Sequence, residues 1–565
     1  MKVTDYIALF LIKKGVTDVF GYPGGMVTHL INSFAKYEEQ IHVHTAYHEQ
    51  AAAFEACGYA QASGRLGAAF ATSGPGATNL VTGICNAYFD SIPVMFITGQ
   101  VNTFERKYPG MRQRGFQETD IVDMVKGVTK YAVYVETADR IEEYLEKAYW
   151  MAMQGRKGPV LLDVPMDVQR ADIRLKGFLY AEAKRKTIEY PDVLDFVYRA
   201  QKPCMILGAG LKVHNRADIA AFVEHMGIPV VTSMTAVDLL PCGHPFFYGY
   251  IGAYGARTAN FIIAKSDLVL VLGNRLDVRQ TGRDRTDFAP DAVVIRFDID
   301  PKELDYPIRS GEIGIQADAQ DVIVYFMTKY KTNNQRHAQW RQICDTIAEK
   351  LKGMDNNICN SFVEKISRYV PENLVITTDV GQNQVWVAQS YRVKKGQRIL
   401  FSGGHGTMGY SLPAAIGAYY AMKKPVICLN GDGGFQMNMQ ELEFIRREKL
   451  PIKIFVLNNY ALGMIRHFQE MYFEGNYAQT IHGKGYETPD FERIAKAYDI
   501  FYISCETPYD ISDKFMQIDG PVFTEIKLKG NTYVYPKLEF GKANQDQDPL
   551  IDRGLFEYLM NLEIK

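Results

Sequence analysis

The sequence predicts an α/β protein made of three doubly wound domains, each a parallel sheet covered by helices. Three observations lead there. The chain has 565 residues, too many for one hydrophobic core, so two to four domains are expected. Apolar strand-like runs alternate with helix-like segments, the pattern of parallel sheets. Glycine-rich turns follow the strand candidates, at the edge where such sheets gather ligands.

Composition narrows the class. Hydrophobic residues make up 47% and charged residues 23% of the chain, which is ordinary for a globular protein. A net charge of −2 gives no general attraction to nucleic acid or anionic membrane, and neither is expected as a partner. No uninterrupted apolar run has the length of a membrane span. The opening MKVTDYIALFLIKKGV suits an amphipathic helix better than a signal peptide. Eight cysteines without a CxxC spacing read as reduced thiols, which points to the cytoplasm.

The elements follow in order. TDVFGYPGG is a strand entering a glycine-rich turn. HEQAAAFEACGYAQASG is a helix of small residues. LGAAFATSGPGATNLVTGICNAYFD reads as strand, tight loop and helix, and IPVMFITG as a further strand. The unit closes near GPVLLDVPMDVQRADI, and a charged linker is expected over 171–195. PCMILGAGL, IPVVTSM, LVLVLGNRLD and AVVIRFDID are the strands of a second unit, which ends in the polar TKYKTNNQRHAQWRQ. The third unit holds LVITTDVGQNQ, GTMGYSLPAAIGAYY, PVICLNGDGG and IKIFVLNN. The expected domains are 1–170, 190–332 and 355–540, with 541–565 as a C-terminal tail. The first and third are alike in size and style.

The most informative stretch is GDGGFQMNMQELEFIRREKLPIKIFVLNNYALGM. A strand ends in GDGG, the helix MQELEFIRREK follows, and the next strand ends in NN. Asp432 and Asn459 then leave the carboxyl ends of two neighbouring parallel strands. Two hard oxygen donors at such an edge suit Mg²⁺, which completes its octahedron with phosphate oxygens and water. Gly431, Gly433 and Gly434 let backbone N–H groups approach a diphosphate, and a helix N-terminus favours its charge. Either motif alone reads equally well as a plain turn; the two together at this spacing point to a ligand.

GDG followed at this distance by NN resembles the diphosphate–Mg²⁺ motif of thiamine diphosphate (ThDP) enzymes. FGYPGG, HEQAAAFEACGYAQASG, TSGPGATN, ITGQV, GFQET, TTDVGQNQ, GTMGYSLPAAIG and NNYALGM extend the resemblance over nearly the whole chain, closest to the acetolactate synthase-like branch. The resemblance implies pyrimidine-binding, central and diphosphate-binding domains. It makes Asp432, Asn459 and the Ala461 carbonyl the Mg²⁺ ligands. Gly24, Gly25, Ser73, Pro75, Asn79, Gly381, Gln382, Asn383, Gly406, Gly431, Gly433, Gly434 and Met464 would surround the cofactor. Glu49 would bond N1′ of the aminopyrimidine; set among Ala51, Ala52, Ala53 and Phe54, its carboxyl should gain proton affinity. Met408 would prop the cofactor in its bent shape. Phe116, Gln117 and Gln100 would line the substrate side. Because Glu49 and the diphosphate site come from different subunits in this family, a homodimer or homotetramer is implied. His42, His44 and His48 suggest zinc, but no second ligand cluster supports it.

GAGL, GAYG, LGNRLDVRQTG and FDID resemble the FAD-binding segments of acetolactate synthases, which carries Gly208, Gly210, Gly252, Gly255, Arg275, Asp298 and Asp318 over as candidate FAD residues. Two departures bear on the acceptor. Phe468 stands where acetolactate synthases place a Trp, and RQRGFQE replaces a shorter lead-in. KYPGMRQRGFQETDIVD and GGHGTMGYSLPAAIG resemble ThDP proteins encoded among surface-polysaccharide genes. The implied function is decarboxylation of a 2-ketoacid such as pyruvate and transfer of a two-carbon unit to a carbonyl acceptor, either a 2-ketoacid or a keto sugar nucleotide. Arg112, Arg114 and Arg466 would meet an anionic acceptor. A simple 2-ketoacid decarboxylase, a flavin-dependent pyruvate oxidase and a catalytically silent scaffold of the same fold are the alternatives.

Overall fold

The computed structural model describes residues 1–178, 190–213, 216–333 and 335–564. It contains three six-stranded sheets in which every strand pairing is parallel. The first is built from β1 (Asp18–Gly21), β2 (His42–Thr45), β3 (Gly67–Ala71), β4 (Val94–Gln100), β5 (Tyr131–Tyr134) and β6 (Val160–Pro165) in the order β2-β1-β3-β4-β6-β5. The middle sheet comprises β7 (Pro203–Leu207), β8 (Val230–Thr232), β9 (Phe247–Tyr250), β10 (Leu268–Leu272), β11 (Val293–Asp298) and β12 (Ile313–Gln316), ordered β12-β11-β10-β7-β8-β9. The third has β13 (Val375–Thr378), β14 (Arg398–Leu400), β15 (Val426–Gly431), β16 (Ile452–Asn458), β17 (Phe501–Cys505) and β18 (Val522–Lys527), ordered β14-β13-β15-β16-β18-β17. Numbered from its own first strand, the third sheet has the order of the first, in keeping with their likeness in the sequence. The middle sheet has the doubly wound nucleotide-binding order. Its central runs, such as LVLVL, are buried on both faces, as helix-covered parallel strands must be.

Two helices lock the first and third sheets together. Glu49–Ser63 is capped at its start by the His48 ring, which accepts from the Gln50 N–H, and it ends at a left-handed Gly64. Ser411–Met422 packs across it. A side chain at Gly58 would overlap the Ala414 carbonyl, and one at Gly417 would overlap the Glu55 carbonyl. The small residues that gave HEQAAAFEACGYAQASG its character therefore allow backbone-to-backbone contact. One continuous core runs through this crossing, from Phe20 and Phe54 to Ile454 and Phe523.

Three details differ from the sequence reading. The helix expected over MQELEFIRREK is a turn at Met439–Glu441 followed by the shorter helix Leu442–Arg447, and a separate short helix, Asp432–Met437, precedes it where a glycine turn was expected. The middle core extends beyond residue 332, because Trp340 is buried in it and donates its indole N–H to the Pro203 carbonyl at 2.9 Å. The C-terminal segment is docked: Leu559 of the helix Arg553–Met560 lies in the same core. Of the linker expected over 171–195, residues 179–189 lie outside the described residues, while its end belongs to the helix Pro191–Arg199, whose Val193 is buried in the middle core. Among the described residues, no helix is long and apolar enough to cross a membrane.

Glu55 and Glu441 meet in the interface between the first and third sheets. Both are buried, and they are close enough for each to shift the other's protonation. Glu441 also accepts the Tyr47 N–H at 2.8 Å. Burial and mutual repulsion push the Glu55 carboxyl well up, and burial pushes Glu441 up as well, so the pair retains a proton. A carboxyl that holds its proton more tightly when folded contributes stability below its ordinary value of 4.5 and loses it as pH rises. The thermal midpoint should therefore fall between about pH 5 and pH 9, and Glu441→Gln should flatten that slope; scanning calorimetry across the range measures both.

Candidate active site

The neighbouring strands β15 and β16 pair Gly431 with Leu457, so Asp432 and Asn459 emerge side by side at the carboxyl edge of the third sheet. Asp432 is 2% exposed and accepts the Tyr486 hydroxyl at 2.9 Å. Burial pushes its carboxyl up to about 7, against the Tyr486 hydroxyl and the Gly433 and Ala461 N–H groups. Among the described residues it makes no ion pair. Asn459 accepts the Ala461 N–H at 3.2 Å and donates to Gln382 at 3.0 Å and to the Thr532 hydroxyl at 2.8 Å. A buried carboxylate without a counter-charge beside a carboxamide oxygen suits a hard divalent cation.

The surrounding glycines have separate reasons to be glycine. Gly381 has φ +130° and starts the helix Gln382–Ser390. A Cβ at Gly431 would lie 3.1 Å from the Asn383 amide nitrogen, and one at Gly433 would lie 3.2 Å from the Met408 methyl. Gly434 is pressed against Asp379. Asp379 is buried and accepts the N–H groups of Val380, Gly409 and Ser411 at 2.9, 3.0 and 2.9 Å. It thereby fixes the loop that carries Met408. Met464 is half-buried and packs on the third-sheet core.

A second group gathers at the carboxyl ends of β1, β3 and β4. Glu49 is 9% exposed and accepts the Asn79 amide at 2.9 Å. A Cβ at Gly76 would come within 3.1 Å of its other oxygen, so the SGPGATN loop wraps closely round the carboxyl. Ser73 presents a buried hydroxyl without a hydrogen-bond partner among the described residues. Gly24 rests on Thr72, while Gly25 and Pro75 are exposed. Gly74 abuts Gln117, which holds a left-handed φ of 61°. Phe116 is 79% exposed, and Arg112 and Arg114 are exposed on the same loop.

Between the first and middle sheets lies a cleft of about 810 Å³, closed on one side by residues 403–406 of the third. Gly210, Arg275, Asp298 and Asp318 line it, as does Gly406, which the sequence assigned to the diphosphate side. Gly208, Gly252 and Gly255 do not line it; each is held against neighbouring backbone at Gly273, Arg279 and Tyr250 respectively. Sequence reasoning missed Arg156, which lines the cleft while bonding Ser91 at 3.0 Å and Glu303 at 2.5 Å.

Comparison with known proteins follows the same division. Residues 1–124 match the "Thiamine pyrophosphate enzyme, N-terminal TPP binding domain", 191–325 its "central domain" and 379–526 its "C-terminal TPP binding domain". The chain is 32% identical over 559 residues to the acetolactate synthase isozyme 2 large subunit of Escherichia coli K12, covering 97% of this chain and 99% of that one. It is 35% identical over 548 residues to the acetolactate synthase large subunit of Lactococcus lactis, covering 94% and 93%. Acetolactate synthase 2, chloroplastic, of Zea mays is 33% identical over 573 residues, covering 96% and 88%.

The chain belongs to the thiamine pyrophosphate enzyme family.

Within that family it is an acetolactate synthase-like, ThDP-dependent enzyme. Some residues expected at its site are committed elsewhere. Gln100 is buried and uses its whole amide on Thr119, Asp163 and Val101 at 2.8, 2.9 and 3.0 Å, so it supports the loop beneath Gln117 and does not line it. Arg466 is buried, paired with Glu470 at 3.2 Å and bonded to the Thr532 carbonyl at 2.5 Å; it is not free to meet an acceptor. Phe468 is 42% exposed and packs at a tilt of 50° against Tyr472, ring centres 4.7 Å apart. His44 is bonded to Asp18 at 2.8 Å and His48 caps a helix. No group of three metal-ligating side chains occurs among the described residues. Tyr486 carried no sequence signal, because it reaches Asp432 from the irregular segment after the NN loop. Asp379 lay in TTDVGQNQ, one residue past its strand, where its buried acceptor role was legible in principle.

Asp432→Ala should weaken ThDP and Mg²⁺ binding together, by at least about tenfold each, which is 1.4 kcal/mol. Thermal-shift titration with both ligands measures this, since a ligand of the native state raises apparent stability. Unchanged stabilisation would remove Asp432 from the metal site.

Proposed function

We propose that this enzyme is a ThDP- and Mg²⁺-dependent carboligase, which decarboxylates pyruvate or a similar 2-ketoacid and joins the two-carbon unit to a carbonyl acceptor. The observation that carries the reading is the pair of complementary residue groups: Asp432 and Asn459 in a glycine-lined sheet edge, and Glu49 enclosed by the SGPGATN loop beside Gln117. ThDP, when bound, supplies an acidic carbon that adds to the ketoacid carbonyl and takes up the electron pair left by CO₂. The protein's part is to hold, orient and manage protons.

Asp432, Asn459 and the Ala461 carbonyl would hold Mg²⁺. Gly381, Gln382, Asn383, Gly431, Gly433 and Gly434 would receive the diphosphate. Met408, against Gly433, would support the bend of the cofactor, with Gly406 and Met464 alongside. Glu49, oriented by Asn79, would hold a proton at the aminopyrimidine N1′, with Gly24, Gly25, Ser73 and Pro75 around that ring. Phe116 and Gln117 would face the substrate. The segments 1–170, 190–332 and 355–540 would act as pyrimidine-binding, central and diphosphate-binding domains. As the family resemblance implies, Glu49 and the Asp432 edge would come from different copies of the chain, so that a homodimer or homotetramer completes each site. The volume and mixed charge of the cleft support FAD, with Arg275, Asp298 and Asp318 as its polar contacts.

For the acceptor, the exposed Phe468, Arg112 and Arg114 favour a large anionic molecule such as a nucleotide-linked keto sugar, because Arg forks suit carboxylate and phosphate. The names of the relatives favour a second 2-ketoacid. Labelled pyruvate offered with a panel of acceptors decides between them. The expected result is a labelled adduct with the larger anionic acceptor; efficient acetolactate formation with no such adduct leaves the plain synthase reading.

Glu49→Gln should retain the fold and ThDP binding but lower turnover by about a hundredfold or more, the scale of a well-placed acid–base group. Steady-state rates measured beside a ThDP titration test this, and near-wild-type turnover would mean that another group does the work.

A further inference from the structure

Residues 101–120 lead from β4 to the helix Ile121–Val125 with only one short turn, Thr103–Glu105. This segment presents Phe116 and Gln117, yet it has almost no regular backbone pairing to hold its shape. Side chains do that work instead, and the buried Glu118 gathers the most backbone of them. Glu118 accepts the Lys107 N–H at 2.7 Å on one oxygen and the Arg114 and Gly115 N–H groups at 2.9 and 3.1 Å on the other. Hydrogen bonds to an ionised acceptor are roughly twice as strong as neutral ones. Burial opposes the charge on Glu118, but the three N–H groups outweigh it and keep the carboxyl below its usual range.

The residues on either side extend this anchor. Gln113 donates to the Glu118 carbonyl at 3.3 Å, and Gln100 donates to the Thr119 carbonyl at 2.8 Å while bound to Asp163. Gly115 is packed against Val101, leaving no room for a side chain. Gln117 lies between the anchors in the left-handed region, which few non-glycine residues adopt. A Cβ at Gly74 would lie 2.9 Å from the Gln117 Cβ, and Gly74 leads directly into the short helix whose Asn79 holds Glu49. The conformation of Gln117 is thus set by backbone that Glu118 gathers.

We propose that Glu118 is a positioning residue for substrate: its carboxylate holds the 107–115 backbone so that Gln117 is presented beside Glu49. This rests on the ThDP carboligase reading above. Glu118→Gln keeps the size of the side chain but replaces one acceptor oxygen with an NH₂ that faces N–H donors. Glu118→Asp keeps the charge but shortens the reach.

The test uses the full-length holoenzyme with ThDP and Mg²⁺. In Glu118→Gln, KM for the 2-ketoacid should rise by about tenfold, the effect of losing one charge-assisted bond. The ThDP affinity should change much less than KM, because the diphosphate side, with Asp432 and Asn459, lies on another sheet. Trypsin cleavage after Lys107, Arg112 and Arg114, followed by mass spectrometry, should accelerate about tenfold. Glu118→Asp should fall between the two in both readouts, and it carries the test if the Gln variant does not fold. Wild-type KM and wild-type cleavage together would overturn the proposal. The cleavage readout needs no substrate: faster cleavage without turnover of any 2-ketoacid by wild type would keep Glu118 as the loop anchor and sink the carboligase reading instead.

Discussion

The crossing of the helices Glu49–Ser63 and Ser411–Met422 governs the rest of the molecule. Their backbones touch at Gly58 and Gly417, where any side chain would force them apart, and a tightly packed interior passes such a displacement on. The crossing fixes the first sheet on the third. It also sets Glu49, the first residue of its helix, relative to the loop bearing Met408. A surface helix could drift by a residue without consequence, but this one is buried all round, so its register is part of the site.

Around that fixed crossing, the irregular loops are shaped by buried or half-buried carboxylates. Asp379 gathers three N–H groups beneath Met408, and Glu118 gathers three beneath Gln117. Asp90 takes the N–H groups of Gly403 and Gly404 at 2.9 and 2.6 Å. These segments have no ladder of their own, and unpaired buried N–H groups are costly. A single ionised side chain meets several of them at once, so irregular backbone can lie under a site without being loose.

Much of this was legible in the sequence because it depends on local pattern. Alternating apolar runs gave the parallel sheets, and the spacing of GDGG and NN put Asp432 beside Asn459. Small residues marked the helix that starts at Glu49. What escaped was fixed by distant partners. Trp340 sits in a polar stretch, and its place in the middle core depends on the Pro203 carbonyl more than a hundred positions away. Gln100 and Arg466 stand in motifs that point to ligands, but Asp163, Glu470 and Thr532 claim their polar atoms. Tyr486 reaches Asp432 across a loop without periodicity. Gly208, Gly252 and Gly255 were legible as glycines but not as packing glycines, since a close approach of backbone looks the same in sequence as a nucleotide cradle.

The strand of backbone from Gly403 to Gly409 belongs to two sites at once. Its first residues wall the large cleft and are held by Asp90 of the first sheet. Its last lie beside Gly433 and are held by Asp379 of the third. Whatever occupies the cleft and shifts this strap changes the affinity at the Asp432 edge by some factor, and thermodynamic linkage requires the same factor in return. On the function proposed above, a molecule bound in the cleft that takes no part in any reaction would still set how tightly the cofactor is held, and the cofactor would alter the hold on that molecule by the same factor.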